Sequence, residues 1–164
     1  MSVIPDKVKK LISKEKILII GTSYRGIANV SPRTAFHIDS NGVIYWLEIF
    51  RHKTFRNISK NSWSSVLVFD KKNLVGFQLK GKASFVVDTK IKSQIMMTIV
   101  DRLNRLHSKK ILQSAKSRRP NIVKFSTKLI FSMNPNELSD SPILINSNKE
   151  LDRKSTRLNS SHSQ

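Results

Sequence analysis

The chain contains no cysteine, which excludes disulfides, thiolate metal sites and a cysteine nucleophile. It is also short of carboxylates, with 11 Asp and Glu against 30 Lys and Arg. Asp39, Glu48, Asp70 and Asp88 sit mostly at strand ends, so no carboxylate pair suited to general acid and base work is visible. Histidine occurs at positions 37, 52, 107 and 162, and none has a second histidine or carboxylate at metal-ligand spacing. No metal site is expected. No apolar run approaches the roughly 18 residues needed to span a bilayer. Lys7, Lys9, Lys10 and Lys14 interrupt the N-terminus where a signal peptide would carry its apolar core, and a cytoplasmic protein is expected. The GxSxG elbow, the phosphate-binding P-loop and the GxGxxG fingerprint are all missing. Serine hydrolase, nucleotidase and Rossmann readings therefore lose their usual support.

The 164 residues, 38% of them hydrophobic, suffice for one domain with its own core. That domain is expected over residues 1–145. Residues 146–164 are rich in Ser, Asn and charge and are expected to be a disordered tail. From Arg153 onward the tail is similar to translated adaptor sequence and reads as foreign to the domain. The net charge of +19 permits attraction to nucleic acid, anionic lipid or phosphorylated ligands, without choosing among them.

Ile4, Val8, Leu11 and Ile12 recur at helical spacing behind Pro5 and Asp6, so residues 4–14 are expected to form a short amphipathic helix that lids a sheet. Residues 17–22 are a run of strand length, and Ser23-Tyr24-Arg25-Gly26 turns into a second run over 27–38. There Val30 and Phe36 are expected to face inward, while Pro32 removes a ladder donor and marks an edge or a bulge. Asn41-Gly42 supplies the positive φ angles of a tight hairpin and leads to a third strand over 43–49. Residues 52–61 read as a helix with Phe55 and Ile58 on one face. A fourth strand spans 64–70, and a fifth spans 74–87 with Gly76 and Gly81 as bends or bulges. The stripe Ile91, Ile95, Ile99, Leu103 and Leu106 predicts a helix over 88–109, with Arg102, Asn104 and Arg105 outside the stripe. Residues 109–119 are polar and basic up to Pro120 and read as a mobile loop. A sixth strand over 122–133 closes the sheet. The expected fold is mainly β with α: six antiparallel strands in a barrel-like plan, with an N-terminal helix, an inserted helix and a helix in the C-terminal half.

One stretch stands out chemically. Residues 50–58, Phe-Arg-His-Lys-Thr-Phe-Arg-Asn-Ile, hold three cations, a histidine, a hydroxyl and an amide in nine positions. Lys53 and Arg56 fall near a predicted helix start, where open backbone donors and the positive dipole end favour a phosphate. Thr54 offers a hydroxyl, and Arg33 on the preceding strand offers a planar fork. Taken alone, such a cluster is more often a solvated helix face than a site.

The order of segments resembles the FMN-binding split barrel of the pyridoxamine 5'-phosphate oxidase-like superfamily, in its small single-domain form. The resemblance covers residues 4 to 134. It is carried by Ile17-Leu-Ile-Ile-Gly-Thr-Ser, by Gly26-Ile-Ala-Asn-Val-Ser-Pro-Arg-Thr, by Lys53-Thr54-Phe-Arg-Asn57-Ile58 and by Gly76-Phe-Gln-Leu-Lys-Gly-Lys-Ala83. No one of these motifs is specific, whereas their order and spacing together are. The resemblance implies a homodimer that buries FMN along its interface. It implies that Ser31, Pro32, Arg33 and Thr34 line the flavin, that Lys53 and Thr54 bind its phosphate, and that Asn57 fixes the helix start. Trp46 and Glu48 would border the ring or ribityl chain, with Gln78 and Lys80 near the dimer interface. The implied activity is a flavin-dependent oxidoreductase of unidentified substrate, with no catalytic residue assigned. The chain lacks the Arg-x-x-x-Leu-Lys style strand and the C-terminal arginine and histidine segment of the true pyridoxamine phosphate oxidases, which speaks against vitamin B6 oxidation.

Two alternatives stay open. A deazaflavin or haem would suit the same barrel. A basic barrel that binds nucleic acid would need aromatic residues on an exposed sheet face. The chain has 7% aromatics, and Phe69, Phe77, Phe85 and Phe125 are expected inside.

Overall fold

A computed structural model of the chain describes residues 4–137 and 140–145. Its sheet begins with β1 (Leu18–Tyr24) and β2 (Ile27–Arg33), joined at Arg25 and Gly26, both with positive φ. There follow β3 (Phe36–Ile38), β4 (Ile44–Glu48), β5 (Trp63–Asp70), β6 (Val75–Phe85), β7 (Asn121–Ser132) and a short β8 (Leu144–Ile145). The order across the sheet is β2-β1-β5-β6-β7-β4-β3, every pairing is antiparallel, and β8 adds to β7. β2 and β3 are consecutive in the chain yet occupy opposite edges. Only Thr34 and Ala35 separate them, so the two edges are drawn together and the sheet curls into a half-barrel.

The described residues thus hold eight strands rather than the expected six. The run 27–38 divides at Thr34, whose carbonyl accepts from the Phe36 amide at 3.1 Å in a tight three-residue turn, and β8 is the other addition. Pro32 does lie on an edge strand.

Two apolar clusters share β4. Ile44 and Trp46 point into the barrel with Ile20, Val66, Leu79 and Phe125, while Tyr45 and Leu47 face a second cluster with Ile99, Leu103 and Ile122. Both faces are covered, so all five residues of the strand are buried. Helix α1 (Asp6–Glu15) closes the barrel core with Val8 and Ile12, and Ile4 just before it joins them. Helix α2 (Lys53–Lys60) packs on β1 and β2, with Ile58 reaching the barrel core. Helix α3 (Thr89–Arg105) starts where the Asp88 carboxylate accepts from the Ile91 amide at 2.8 Å. It ends at Arg105, short of the expected 109, because His107 turns the chain with a positive φ.

The segment read as a mobile loop is a helix, α4 (Lys109–Ser117). Its lysines masked a short apolar face: Ile111, Leu112 and Ala115 pack with Ile99 and Leu103 of α3. The alternation rule also misplaces two residues. Val30 is 68% exposed, although Phe36 is buried as expected. Phe77 and Phe125 are buried and Phe85 packs on the barrel core, whereas Phe69 is exposed, because Val66 and Val68 take the inward parity of β5. In the α3 stripe Ile99 and Leu103 are buried, while Ile91 lies exposed at the first turn. The expected tail from residue 146, with the segment read as foreign, lies outside the described residues. Among the described residues no helix is long and apolar enough to cross a membrane.

Two features give direct stability tests. The β6–β7 register shifts between Lys80 and Gly81, and a Cβ at Gly81 would collide with the Ser126 carbonyl oxygen and stand 3.0 Å from Phe125 Cζ. Gly81→Ala is therefore expected to lose about 1 to 3 kcal/mol as the bulge is forced open, measured by urea unfolding. Asp70 accepts from the Lys72 and Asn73 amides at 2.9 and 3.2 Å, from Asn73 Nδ2 at 2.7 Å and from the Lys14 ammonium of α1. The Lys14 bond, followed by those of Asn73, holds its carboxyl far below the usual range. A depressed folded pKa gives stability that is present above the unfolded value of about 3.9 and is lost as pH falls through the lower folded value. Asp70→Asn should lower the melting temperature at neutral pH and flatten the acid limb below about pH 4. An acid limb identical to that of the parent protein would count against the assignment.

Candidate functional site

Strand β2 turns its polar residues inward. Asn29, Ser31 and Arg33 alternate on the face towards α2 and β4, leaving Val30 outside. This inversion would bury polar groups at a cost if nothing met them. The start of α2 meets them: the Thr54 hydroxyl accepts from Asn29 Nδ2 at 3.1 Å and shares a 2.9 Å hydrogen bond with the Ser31 hydroxyl. Behind this pair, Asn57 Nδ2 donates to Thr22 Oγ1 at 3.1 Å, and Asn61 Nδ2 donates to the Ser23 carbonyl at 3.1 Å. These bonds tie α2 to β1 and fix where its N-terminus points.

That N-terminus is uncapped. His52 occupies the N-cap without a side-chain cap bond, and the first intrahelical bond runs from the Arg56 amide to the His52 carbonyl at 3.0 Å. The amides of Lys53, Thr54 and Phe55 precede it, at the end of the helix where the dipole is positive. Lys53 and Arg56 border the same cleft.

Deeper in, the buried Glu48 organises a second group. Its Oε1 accepts from Arg33 Nε at 3.0 Å, from Arg33 Nη2 and from the Trp46 indole Nε1 at 3.0 Å. Trp46 and Glu48 are two apart on β4, hence on the same face. The pair neutralises the one carboxylate at the cleft. Leu47, Ile49 and, from α4, Ile111 add apolar lining. Arg102 on α3 steadies the kink beside the cleft: its Nη1 donates to the Thr34 carbonyl at 2.6 Å and its guanidinium lies 3.9 Å over the Phe36 ring. The enclosed volume is about 450 Å³, within the range usual for small-molecule sites.

Of the residues named from the sequence, Ser31, Pro32, Arg33, Thr34, Glu48, Lys53 and Thr54 come together along this cleft. Trp46 sits beneath it, in contact through Glu48, and Asn57 lies behind it on Thr22. Gln78 pairs across the sheet with Leu67 and Phe131, away from the cleft lining. Lys80 lines a separate hollow of about 350 Å³ with Gly21, Val30 and Ser65, and Asn29 borders both. Asn29, Phe50, His52 and Ile111 also line the cleft without having been assigned to it from the sequence, and Arg56 joins them from the basic helix start. Asn29 carried a signal, since it lies two residues from Ser31 on the same face, and Ile111 carried none once its segment read as a loop. Among the described residues no group of three His, Asp or Glu could hold a metal ion.

The chain resembles HupZ from Group A Streptococcus at 17% identity and a TM-score of 0.62, over 81% of this chain and 96% of that one. It resembles HutZ, the heme storage protein of Vibrio cholerae, at 19% identity and 0.61, over 79% and 94%. A FAD-binding protein of Mesorhizobium loti matches at 13% identity and 0.62, over 79% and 93%. At these identities the likeness shows the fold, a split barrel. No curated protein sequence matches. The family model described as pyridoxamine 5'-phosphate oxidase matches residues 4–134, and the chain belongs to that family.

Proposed function

We propose that the cleft binds FMN and that the protein is a cytoplasmic flavin-dependent oxidoreductase of unidentified substrate. The observation that carries this reading is the inward turn of Asn29, Ser31 and Arg33 onto the uncapped start of α2. A strand that exposes Val30 in order to present amides and hydroxyls is organised around a polar ligand. The donor set fits a phosphate: open helix amides, the Thr54 and Ser31 hydroxyls and the Lys53 and Arg56 cations. The apolar lining of Leu47, Ile49 and Ile111 suits a flat ring system.

The residues present have separate tasks. Lys53 and the amides at the start of α2 hold the phosphate, while Asn29 and Ser31 keep the Thr54 hydroxyl turned to it. Glu48 orients Arg33 and neutralises its charge, so the fork would serve the ligand as a fixed hydrogen-bond donor, while Lys53 and Arg56 supply the positive charge at the cleft. When bound, the flavin supplies hydride or single-electron transfer. The partner in this reading is a second copy of the chain, with the cofactor at the interface. Val30, 68% exposed on the outer face of the edge strand β2, gives that interface an apolar contact.

The visible spectrum of the purified protein tests the reading. Flavin bands at one FMN per chain are expected, or their recovery when FMN is added to a colourless preparation. A Soret band on adding haem, with no flavin uptake, would assign the cleft to haem. A colourless protein that ignores FMN and retards single-stranded DNA at low salt would move the function to nucleic acid.

A further inference from the structure

Residues 102–136 hold nine Lys and Arg and no Asp or Glu, the longest stretch of the chain without a carboxylate, so nothing nearby in sequence neutralises the cations that α4 carries. Elsewhere the chain does pair its cations: Lys14 with Asp70, and Arg33 with Glu48. Among the described residues no ion pair reaches Lys109, Lys110 or Lys116, and all three are exposed. Their placement is costly to the helix. Lys109 and Lys110 stand in the first turn, no acidic residue accompanies them there, and Ser108 makes no side-chain cap bond. Their charges therefore oppose the positive end of the helix dipole. Charge needed only for solubility would be better placed in the last turn, where the dipole favours it.

The cations also share a surface. Lys109, Gln113 and Lys116 recur at helical spacing along α4 and, with Ser117, line a surface hollow of about 450 Å³. From Lys109 to Lys116 the helix rises about 10 Å, which suits an anion that repeats its charge along a line rather than holding it at one point. Arg119 lies exposed just beyond the helix and adds a planar fork for a phosphodiester. The apolar residues Ile111, Leu112 and Ala115 are taken up by the core shared with α3, so α4 keeps no apolar side with which to enter a bilayer. Residues 109–119 contain no aromatic residue, and the bases of a single strand would find nothing there to stack on. A duplex presents its phosphates at a fixed repeat and needs neither stacking nor insertion.

We propose that α4 is a docking surface for the phosphodiester backbone of duplex nucleic acid, held through Lys109, Lys110, Lys116 and Arg119 with no readout of base sequence. None of these four residues lines the cleft, so the inference goes beyond the flavin reading and does not depend on it.

Fluorescence anisotropy with a short labelled DNA duplex of mixed sequence, titrated with the full chain at several salt concentrations, tests it. The logarithm of the parent affinity should fall against the logarithm of salt with a slope of about −3 to −4, the release of counterions from four phosphates. The triple variant Lys109→Gln, Lys110→Gln, Lys116→Gln should weaken binding about 10- to 100-fold near about 0.1 M salt and reduce the slope by about 3. It should melt no lower than the parent, because glutamine suits a helix and the first turn is relieved of its opposed charges. The control Lys10→Gln, Lys71→Gln, Lys72→Gln removes the same charge at exposed positions elsewhere and should weaken binding by less than about 3-fold, since distant charges are screened. Equal losses in the two triple variants would reduce the effect to net charge and overturn the docking surface, as would the absence of duplex binding at low salt. Binding to phosphatidylserine vesicles but not to the duplex would overturn it in favour of a lipid surface. Each of these failures leaves the flavin reading intact, which the visible spectrum tests separately.

Discussion

Replacing Lys53 and Thr54 together by alanine is expected to weaken FMN binding by about 2 to 4 kcal/mol, roughly 30- to 700-fold in dissociation constant. The estimate adds a charge-assisted bond from Lys53 to a hydroxyl bond from Thr54, both directed at the phosphate. Binding should not vanish, because the open amides at the start of α2 and the Arg56 cation remain. Thr54 is buried and bonded to Asn29 and Ser31, so its loss also loosens β2 from α2. Thr54→Ser retains the hydroxyl, and Lys53→Met retains the apolar stem without the charge. These two separate ligand contact from scaffold damage: Thr54→Ser should bind nearly normally, while Lys53→Met should show the electrostatic part of the loss with an unchanged melting temperature. Fluorescence titration with FMN measures both. An unchanged affinity in the double alanine variant would remove these residues from the phosphate clamp.

Glu48→Ala should cost about 3 to 5 kcal/mol of unfolding free energy, the usual consequence of breaking a buried ion pair by deleting one partner. Glu48 is 3% exposed, and its Oε1 serves Arg33 Nε, Arg33 Nη2 and Trp46 Nε1. Deletion leaves the indole N–H inside the barrel without its acceptor, a loss of about 1 to 3 kcal/mol by itself, and leaves the Arg33 cation unpaired. The Arg33 side chain is 18% exposed and regains some hydration, which places the total towards the lower end, about 3 kcal/mol. Glu48→Gln keeps an acceptor for Trp46 but no charge for Arg33, and should fall between the parent and Glu48→Ala in urea unfolding. If Glu48→Ala is as stable as the parent within about 0.5 kcal/mol, the buried pair does not hold this corner of the barrel. The pair also matters to the ligand, since Glu48 sets the direction of the one arginine fork that lines the cleft from β2. A flavin affinity that falls along with stability is the expected companion result.

Much of the architecture was legible in short stretches. The hairpin between β3 and β4 forms as expected, although of the Asn-Gly pair only Gly42 takes a positive φ, 79°. The loop is longer than a two-residue turn, with the Gly42 amide donating to the Asp39 carbonyl and the Asp39 amide to the Val43 carbonyl. The Gly81 bulge falls where the glycine interrupts the fifth run. The Ile99 and Leu103 spacing marked α3. Such features follow from backbone sterics and side-chain period, which depend on near neighbours in the chain. α4 was not legible, because three apolar residues among lysines carry little periodic signal until α3 supplies the surface that they cover.

The order of the main strands and of α1 to α3, and the family, were determined by the amino-acid sequence alone. Which face of β2 looks inward was not. Val30 and Phe36 are both apolar, and alternation places both inside, yet Val30 faces out because Asn29 and Ser31 are met by Thr54, more than twenty positions further along. Only the curled sheet brings α2 over β2, and hydrogen bonding across that contact outweighs the burial of one valine side chain. The cleft owes its polar floor to that contact between distant segments, and local pattern carries no trace of it.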